Sequence, residues 1–299
     1  MAILVFDFGG TTVKYSVWVG DKLDMPVSSF PTPKTWEETK TAVREIKDKL
    51  GQSYPFKGVA FSFPGCIEQK SGQILGYSAI PFIHHFPIKA ELEALLELPI
   101  SLENDANCAA LAEVWTGVGK GLQDILFVVV GTGIGGAIVM DGKVRSGAHL
   151  YGGEWGFMFV NGGEDGRKGQ ILSGLGTAVA MANRYCEAIG VPVGTHGGAE
   201  VFKLAKEGDE KAQVEVETFY RYLSMGLFNL QMSFDPEAII LGGGISASEE
   251  ILEELEKRVN DLLIYSHVKD FKVDLKACQY GNDANLIGAV KNFMDRVEV

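Results

Sequence analysis

The stretch AILVFDFGGTTVKYSVWV, residues 2–19, holds two runs of strand-forming residues separated by a pair of glycines. Ala2–Phe8 is apolar apart from Asp7, and Thr12–Val19 is rich in β-branched and aromatic residues. This pattern predicts two antiparallel strands joined by a tight turn. Backbone N–H groups around glycines can form a nest that binds phosphate, and an adjacent carboxylate suits a divalent cation, bound directly or through water. The turn is therefore a candidate phosphate loop, although a plain tight hairpin explains it equally well.

A second hairpin of the same design is predicted between residues 124 and 145. Asp124–Val130 is strongly apolar, GTGIGG follows at Gly131–Gly136, and Ala137–Met140 is apolar again. The glycines match the GxGxxG pattern of dinucleotide-binding proteins, but in those proteins the third glycine opens a helix. Here a strand follows, and then Asp141-Gly142, which is the signal of a type I′ hairpin. We therefore expect a loop between two strands, and two such loops, each with a threonine, favour a polyphosphate ligand.

The remaining pattern predicts a mixture of strands and helices in both halves of the chain. Further strands are expected at Gly58–Phe63, Ile100–Glu103, Lys143–Arg145, Ala238–Leu241 and Phe271–Ala277. Helices are expected at Thr35–Leu50, Ile88–Leu98, Asp105–Trp115, Gly176–Ile189, Ala199–Glu207, Gln213–Phe234, Ser248–Tyr265 and Ala284–Met294. A hinge between two α/β halves is expected near residues 115–121. Gly242–Gly244 reads either as a strand-to-helix turn or as a third ligand site.

The composition argues against several classes of protein. The net charge is −12 and the basic residues are scattered, so a nucleic-acid partner is not expected. No segment reaches the roughly 18 uninterrupted apolar residues of a membrane span, and the N-terminus lacks the pattern of a signal peptide. The four cysteines show neither CxxC nor metal-ligand spacing, which is typical of reduced cytosolic thiols. We expect a cytoplasmic protein with no membrane partner.

Seven segments of the chain, taken in order, resemble the ROK family of sugar kinases and sugar-responsive repressors. They are FDFGGTTVK (6–14), FPG (63–65), ENDANCAALAE (103–113), GTGIGG (131–136), GGEWG (152–156), PEAIILGGGI (236–245) and DANLIGA (283–289). The resemblance implies an α/β, two-domain fold of the actin/hexokinase-like (ribonuclease H-like) type with an interdomain cleft. The implied domains are residues 1–116 with a C-terminal helix at about 285–299, and residues 117–284.

The resemblance also implies an activity and a set of site residues. The protein would be an ATP-dependent sugar kinase that uses Mg²⁺, acts on a small-molecule sugar and forms a homodimer. Asp105 would be the catalytic base, and Asp7 would hold Mg²⁺ through water. The sugar would contact Gly65, Asn104, Asp105 and Glu154. The nucleotide would lie against Gly9, Gly10, Thr11, Thr132 and Gly133 with its phosphates, and against Gly242, Gly243 and Gly244 with its adenosine.

The chemistry of phosphoryl transfer agrees with the role of Asp105. The transition state is loose, so an enzyme mainly positions groups and neutralises charge, but the hydroxyl proton still needs an acceptor. Asp105 follows a predicted strand and opens a predicted helix. Asp and Asn are also favoured as N-caps, so a capping role for Asp105 is the alternative.

Phe157 and a missing cysteine motif distinguish this chain from the usual family pattern. Phe157 stands where family members carry a histidine, and residues 162–170 lack the cysteines of the family zinc motif. We therefore expect no zinc site, since a structural zinc needs about four Cys or His ligands. Glu164 is a candidate replacement for the sugar-binding acid that follows that motif. The pair His84-His85 is expected to be solvated, although it could face the cleft.

With Phe in place of His, the site has one polar group fewer that a sugar hydroxyl must satisfy by a hydrogen bond. Phe157 and Trp155 would present apolar faces to sugar rings, which weakens a strict glucokinase assignment and favours a relaxed hexose kinase or a kinase of β-glucosides. The hydroxyl expected to be phosphorylated is the 6-hydroxyl of a glucose unit, in glucose or in a β-glucoside. N-acetylmannosamine or another hexose is the alternative acceptor. An inactive, regulatory sugar-binding protein is a further alternative. A DNA-binding repressor is not expected, because the first phosphate motif begins at residue 6 and leaves no room for a helix-turn-helix.

Overall fold

The computed structural model describes residues 1–162 and 170–297. The chain divides into two compact units. The first consists of Met1–Lys120, Ser146–Tyr151 and Gln279–Val299, and the second of Gly121–Arg145 and Gly152–Cys278. The expected boundaries, after residue 116 and near 285, lie within a few residues of these divisions, and residues 146–151 were not expected in the first unit.

A buried carboxylate explains why residues 279–280 belong to the first unit. Oε1 of Glu113 accepts hydrogen bonds from the backbone N–H groups of Gln279 and Tyr280, at 2.8 and 3.1 Å. The Tyr280 hydroxyl also donates to the carbonyl of Thr116, at 2.9 Å. The chain is thus tied to the end of the helix that carries Glu113 before its last helix begins.

The first unit is built on a six-stranded sheet with the strand order β3-β2-β1-β5-β8, in which β4 pairs with β2. Its strands are β1 (Ala2–Phe8), β2 (Thr12–Val19), β3 (Lys22–Leu23), β4 (Ser28–Pro31), β5 (Phe56–Phe63), the separate β6–β7 hairpin (Cys66–Glu68, Gln73–Leu75) and β8 (Ile100–Asn104). Its helices in the first 120 residues are α1 (Trp36–Gly51), α2 (Ile88–Leu96) and α3 (Asp105–Trp115). The predicted β1–turn–β2 hairpin and the predicted bounds of α3 are confirmed.

The second unit contains a five-stranded sheet with the order β11-β10-β9-β14-β15. Its strands are β9 (Ile125–Val130), β10 (Ile134–Met140), β11 (Lys143–Val144), the separate β12 (Phe159–Asn161) and β13 (Gln170–Ile171), β14 (Ala238–Gly243) and β15 (Leu275–Ala277). Its helices are α4 (Leu172–Leu175), α5 (Ala178–Ile189), α6 (Gly198–Lys206), α7 (Glu210–Phe234) and α8 (Glu249–Tyr265), and the chain ends with α9 (Ala284–Arg296) in the first unit.

The two units share one plan. In each, an antiparallel hairpin comes first, and its first strand also pairs in parallel with a later strand: β1 with β5, and β9 with β14. Asp141 and Gly142 both have positive φ, of 53° and 68°, as a type I′ turn requires. That turn joins β10 to β11. The β9–β10 connection, residues 131–133, likewise joins two antiparallel strands and not a strand to a helix, which confirms the rejection of the dinucleotide-binding interpretation.

Several predicted element boundaries differ from the structure by a few residues, among them the following two. The glycine loop ends at Gly133 and not at Gly136, because Ile134, Gly135 and Gly136 already pair with β9. The strand predicted from Phe271 begins only at Leu275. The backbone N–H of Val273 donates instead to the side chain of Asn260 on α8, at 3.0 Å.

Each unit has its own hydrophobic core. In the first, Phe6, Phe8, Phe61 and Phe63 stack between neighbouring strands, and the rings of Phe8 and Phe63 lie 4.5 Å apart. In the second, the core forms between β9, β14 and the helices α5, α7 and α8. Within the described ranges, no helix is long and apolar enough to cross a membrane.

Candidate active site

The first glycine turn leaves its backbone exposed where a ligand can reach it. Gly10 and Thr11 are exposed, and the turn is closed by a hydrogen bond from Gly9 N–H to the Thr12 carbonyl, at 3.0 Å. The Thr32 hydroxyl fixes the other side by donating to the Gly9 carbonyl, at 2.6 Å. A Cβ atom on Gly10 would lie 2.7 Å from the Cβ of Ala79, so only glycine fits there.

Asp7 is held at the end of β1 by two neutral donors. Asp7 is only 7% exposed, and its Oδ1 accepts from the Ser62 hydroxyl at 2.8 Å and from the Asn285 amide at 3.1 Å. Burial raises the pKa of Asp7, while these two hydrogen bonds and the charge of Lys14 lower it in part. Both donors bind the same oxygen, which orients the carboxyl group and leaves Oδ2 outside these two bonds.

A row of polar residues crosses the carboxyl ends of three parallel strands in the first sheet. Asp7 of β1 lies opposite Ser62 of β5, which lies opposite Glu103 of β8, and Asn104 follows. In open α/β sheets, ligands bind outside the carboxyl ends of the strands. The register therefore brings residues from three separate sequence motifs to one edge.

Asn104, and not Asp105, caps α3. Asn104 Oδ1 accepts from the backbone N–H of Asn107 at 3.1 Å, and its Nδ2 donates to the Gly65 carbonyl at 3.1 Å. The alternative of Asp105 as the N-cap is thus wrong, because Asp105 is the first helical residue. Asp105 is partly exposed, and its Oδ1 accepts from the adjacent Ala106 N–H at 2.9 Å.

Glu103 is a site residue that the sequence analysis did not single out. It is almost fully buried, and its Oε1 accepts from the Asn104 N–H at 2.8 Å and from the Asn107 amide at 2.9 Å. Oε2 faces Gln69 Nε2 at 3.2 Å and Arg296 of α9 at 3.5 Å. Burial raises the pKa of Glu103, and the hydrogen bonds from Asn107 and the Asn104 N–H, together with Arg296, lower it in part. Its position in the ENDAN segment, directly before the cap, was the available signal.

The loop at Gly65 contacts His84. Gly65 has a φ of +107°, and a Cβ there would lie 2.9 Å from His84 Cε1. His84 Nε2 lies 2.8 Å from the Ser78 hydroxyl, and burial lowers the pKa of His84. Only His85 is exposed, so the expectation of a solvated pair is wrong for His84.

The second glycine turn has a similar exposed backbone. Gly131, Thr132 and Gly133 are all exposed, and Gly131 N–H donates to the Gly133 carbonyl at 2.9 Å. The turn is anchored from outside by the Ser173 hydroxyl, which accepts from Ile134 N–H at 2.9 Å.

The GGEWG segment places one predicted ligand outward and another residue inward. Glu154 is exposed, although partial desolvation raises the pKa of its carboxyl group. Trp155 is 6% exposed and its Nε1 donates to the Phe127 carbonyl at 3.0 Å. The expectation that Trp155 presents a face to a sugar is therefore wrong, since it belongs to the core. Phe157 is 66% exposed and remains available for contact.

A cavity of about 450 Å³ lies in the second unit between the second glycine turn and the end of β14. Its walls include Gly131, Val179, Phe202, Lys206, Gly244 and Glu250. Gly244 has open space around it, whereas Gly242 is buried against Phe127 and shapes the strand end. Gly243 has a φ of +83°, and a Cβ there would lie 2.2 Å from the Val130 carbonyl. We call this space the Gly244 cavity.

The donor set at Asp7 fits Mg²⁺. Magnesium usually keeps several waters and is bound through one or two carboxylates together with substrate phosphates. Asp7 supplies one oriented carboxylate next to a turn suited to phosphate. Among residues 1–162 and 170–297, no three His, Cys, Asp or Glu side chains converge as a metal cage. Glu164 and most of the segment in place of the zinc motif lie outside the described residues.

Comparisons with known proteins identify the family of this chain. Residues 3–295 match the model of the ROK family. The beta-glucoside kinase of Listeria monocytogenes is 32% identical over 98% of this chain and 98% of its own. A ROK family protein from Streptococcus pneumoniae, solved in complex with sucrose, superposes with a TM-score of 0.88 at 32% identity over 99% of both chains. A ROK family glucokinase from Streptomyces griseus, solved with glucose and AMPPNP, superposes with a TM-score of 0.77. It is 26% identical over 97% of this chain and 98% of its own. The chain has the actin/hexokinase-like fold and belongs to the ROK family.

Proposed function

We propose that this protein is an ATP-dependent sugar kinase that phosphorylates a hydroxyl of a sugar, the 6-hydroxyl of a glucose unit in glucose or a β-glucoside. The observation that carries the proposal is the shared strand edge of the first unit. There Asp105 and Asn104 open α3 beside Gly65, and Asp7 stands in the same sheet at the exposed glycine turn. A proton acceptor and a phosphate turn on one sheet edge suit phosphoryl transfer.

Asp105 accepts the proton in this reaction. The sugar oxygen forms a bond to the γ-phosphorus of ATP, the bond from that phosphorus to the β–γ bridging oxygen breaks, and the hydroxyl proton passes to the Asp105 carboxylate. ADP leaves with the electrons of the broken bond. Asp105 suits this role because it is partly exposed while its neighbour Asn104 performs the capping.

Asp7 would hold Mg²⁺, either directly or through water. The bound cation supplies neutralisation of the charge on the phosphates. The contribution of the chain itself is orientation: Ser62 and Asn285 bind one oxygen of Asp7 and fix the plane of the carboxyl group. The N–H groups of Gly10 and Thr11 would receive the phosphate oxygens.

The second unit would bind the rest of the nucleotide. Its exposed turn at Gly131–Gly133 suits phosphate, and the Gly244 cavity next to that turn has the volume and the apolar wall of a site for adenosine. Gly243 and Gly244 border this space, and Gly242 would act by packing instead of by contact.

The acceptor sugar would be held by Asn104, Asp105, Gly65 and Glu154. A glucose unit in a β-glucoside is favoured by the activity named for the Listeria relative and by the exposed Phe157. An apolar ring at this position suits the C–H face of a sugar better than a histidine does. We further propose that the protein is cytoplasmic and forms a homodimer. Measurement of its molecular mass in solution at several protein concentrations would test the dimer.

A coupled ADP-release assay with Mg-ATP tests the proposal. The sugar panel would contain glucose, mannose, fructose, N-acetylmannosamine, N-acetylglucosamine, cellobiose and gentiobiose. Sugar-dependent turnover that Asp105→Asn lowers by about 10²–10⁴-fold, with sugar and ATP binding retained, supports the kinase and its base. Near wild-type kcat in Asp105→Asn would exclude Asp105 as the base. If no sugar is turned over although ATP and sugars still bind, the inactive sugar-binding alternative is favoured.

A further inference from the structure

An exposed tyrosine follows the β6–β7 hairpin of the first unit, next to the Gly65 loop. Tyr77 is 83% exposed, and its ring is nearly parallel to that of His84, with an angle of 11° and centroids 6.5 Å apart. Such separations are within the range of interacting aromatic pairs. A second tyrosine, Tyr151, lies close to Gly76, the residue before Tyr77. A Cβ atom on Gly76 would lie 3.6 Å from the Tyr151 hydroxyl. We call Tyr77, His84 and Tyr151 the aromatic rim.

The histidine of the rim is held in place. His84 Nε2 lies 2.8 Å from the Ser78 hydroxyl, which also accepts from Ile80 N–H at 3.2 Å. The next residue donates its backbone N–H to the Ile74 carbonyl, at 2.9 Å. The imidazole is partly buried, and burial lowers its pKa, which favours the neutral ring. The Tyr77 ring therefore lies next to a fixed, uncharged surface.

The rim is continuous with the residues assigned to the sugar. One side of Gly65 contacts His84, since a Cβ on Gly65 would lie 2.9 Å from the imidazole Cε1. The carbonyl of the same Gly65 accepts from Asn104 Nδ2, at 3.1 Å. A sugar held by Asn104 and Asp105 thus has the Gly65 loop as a neighbour, and His84 of the rim contacts the same loop.

The chemistry of the rim suits a second sugar ring. A pyranose presents C–H groups on its faces and hydroxyls around its edge, so a neutral aromatic ring packs against its face while a tyrosine hydroxyl reaches its edge. Binding sites combine aromatic walls with a few polar groups in this way. A single glucose bound by Asn104 and Asp105 has no second ring to place on the rim.

We propose that the aromatic rim is a subsite for the second ring of a β-linked glucoside whose first glucose is bound by Asn104 and Asp105. This assignment rests on the proposed sugar-kinase function. Tyr77, which is the most exposed member, would contribute most of the preference for a disaccharide over free glucose.

The test compares kcat/KM for cellobiose and for glucose in the wild type, Tyr77→Ala, Tyr77→Phe and a control. Tyr265→Ala is the control, because Tyr265 is 84% exposed at the end of α8 in the other unit. Tyr77→Ala should lower kcat/KM for cellobiose by about tenfold, mainly through KM, and change that for glucose less than twofold. Tyr77→Phe should retain most of the cellobiose activity, and Tyr265→Ala should match the wild type.

An equal change with both sugars, or no change with cellobiose, would overturn the rim assignment while the kinase assignment stands. If the wild type turns over no sugar, the kinase proposal fails, and a direct titration with cellobiose in the absence of ATP decides about the rim. Weaker binding by Tyr77→Ala than by wild type would retain the subsite. Equal affinity of the two proteins, or no binding to either, would reject it.

Discussion

The Ser62 hydroxyl donates a hydrogen bond to Asp7 Oδ1 at 2.8 Å, across the register of two neighbouring parallel strands. Asn285 donates to the same oxygen from α9, which comes from the far end of the chain. The carboxyl group proposed to hold Mg²⁺ is thus oriented by residues from three separate parts of the sequence. Neutral donors at this position stabilise the ionised form without adding a competing cation.

Removal of the Ser62 hydroxyl should impair catalysis. Hydrogen bonds to charged groups contribute about 1.5–3 kcal/mol, so we expect Ser62→Ala to lower kcat/KM by roughly tenfold to hundredfold and to raise the Mg²⁺ concentration needed for half-maximal rate. The measurement is a steady-state assay over a range of Mg²⁺ concentrations. Ser101→Ala is a matched control, because Ser101 is also a buried sheet serine but its Oγ has no hydrogen-bond partner. Similar losses in both variants would contradict the specific role of Ser62.

The pH dependence of the same variant should change in a defined direction. Burial raises the pKa of Asp7 above its ordinary value of 3.8, and the Ser62 and Asn285 hydrogen bonds oppose that rise. Activity requires ionised Asp7, so it falls as the pH drops through this pKa. Loss of one donor raises the pKa further, and the acid limb of kcat/KM should move to higher pH in both Ser62→Ala and Asn285→Ala. If the pH profiles of kcat/KM of the variants are lower than that of the wild type but have the same acid limb, the two hydrogen bonds do not set the pKa of Asp7.

A bulky side chain in the Gly244 cavity should block the nucleotide. Val179 lines the cavity and is partly exposed, so Val179→Trp can fill the space without entering the core. We expect the KM for ATP to rise by about tenfold or more, since the adenosine loses its contacts, while the KM for the sugar changes little. Val214→Trp is the control on an exposed face of α7 outside the cavity. An unchanged KM for ATP would place the adenosine elsewhere.

The crossing of α3 and α9 should tolerate no side chain at Gly288. A Cβ there would lie 1.6 Å from the Cys108 carbonyl oxygen. We expect Gly288→Ala to lower the free energy of unfolding by about 1–3 kcal/mol or more, because the two helices must separate. Gly51→Ala, at the open end of α1, is the control and should be neutral or slightly stabilising. Denaturant unfolding of both variants gives the comparison, and an unaffected Gly288→Ala would show that the helices are less tightly packed.

The sequence alone predicts the structure well where local chemistry decides. The hairpin at Asp141-Gly142 follows from two residues that accept positive φ, and α3 begins where Asn104 can cap it. It failed where a side chain's surroundings come from distant elements. Trp155 was expected to face a sugar, yet it is buried and donates to Phe127, and His84 was expected in solvent, yet it packs against Gly65.

The site divides in the same way. The residues expected to bind phosphate and sugar lie in short motifs. Such motifs can be recognised from the sequence because a few adjacent glycine, threonine and carboxylate residues at a turn are enough to indicate a binding site. Glu103 was overlooked, since its partners Gln69 and Arg296 lie far from it in the chain. Ser62 was overlooked for the same reason, as only the strand register places it beside Asp7.

The sequence by itself determined the family, the alternation of strands and helices, and the glycine turns, since these depend on residue types within a few positions of one another. Only the tertiary structure decided which oxygen of Asp7 is held, that Asn285 reaches it from the last helix, and that Tyr77 lies next to the Gly65 loop. These contacts depend on strand register and helix packing, in which residues far apart along the chain become neighbours only after the units have folded.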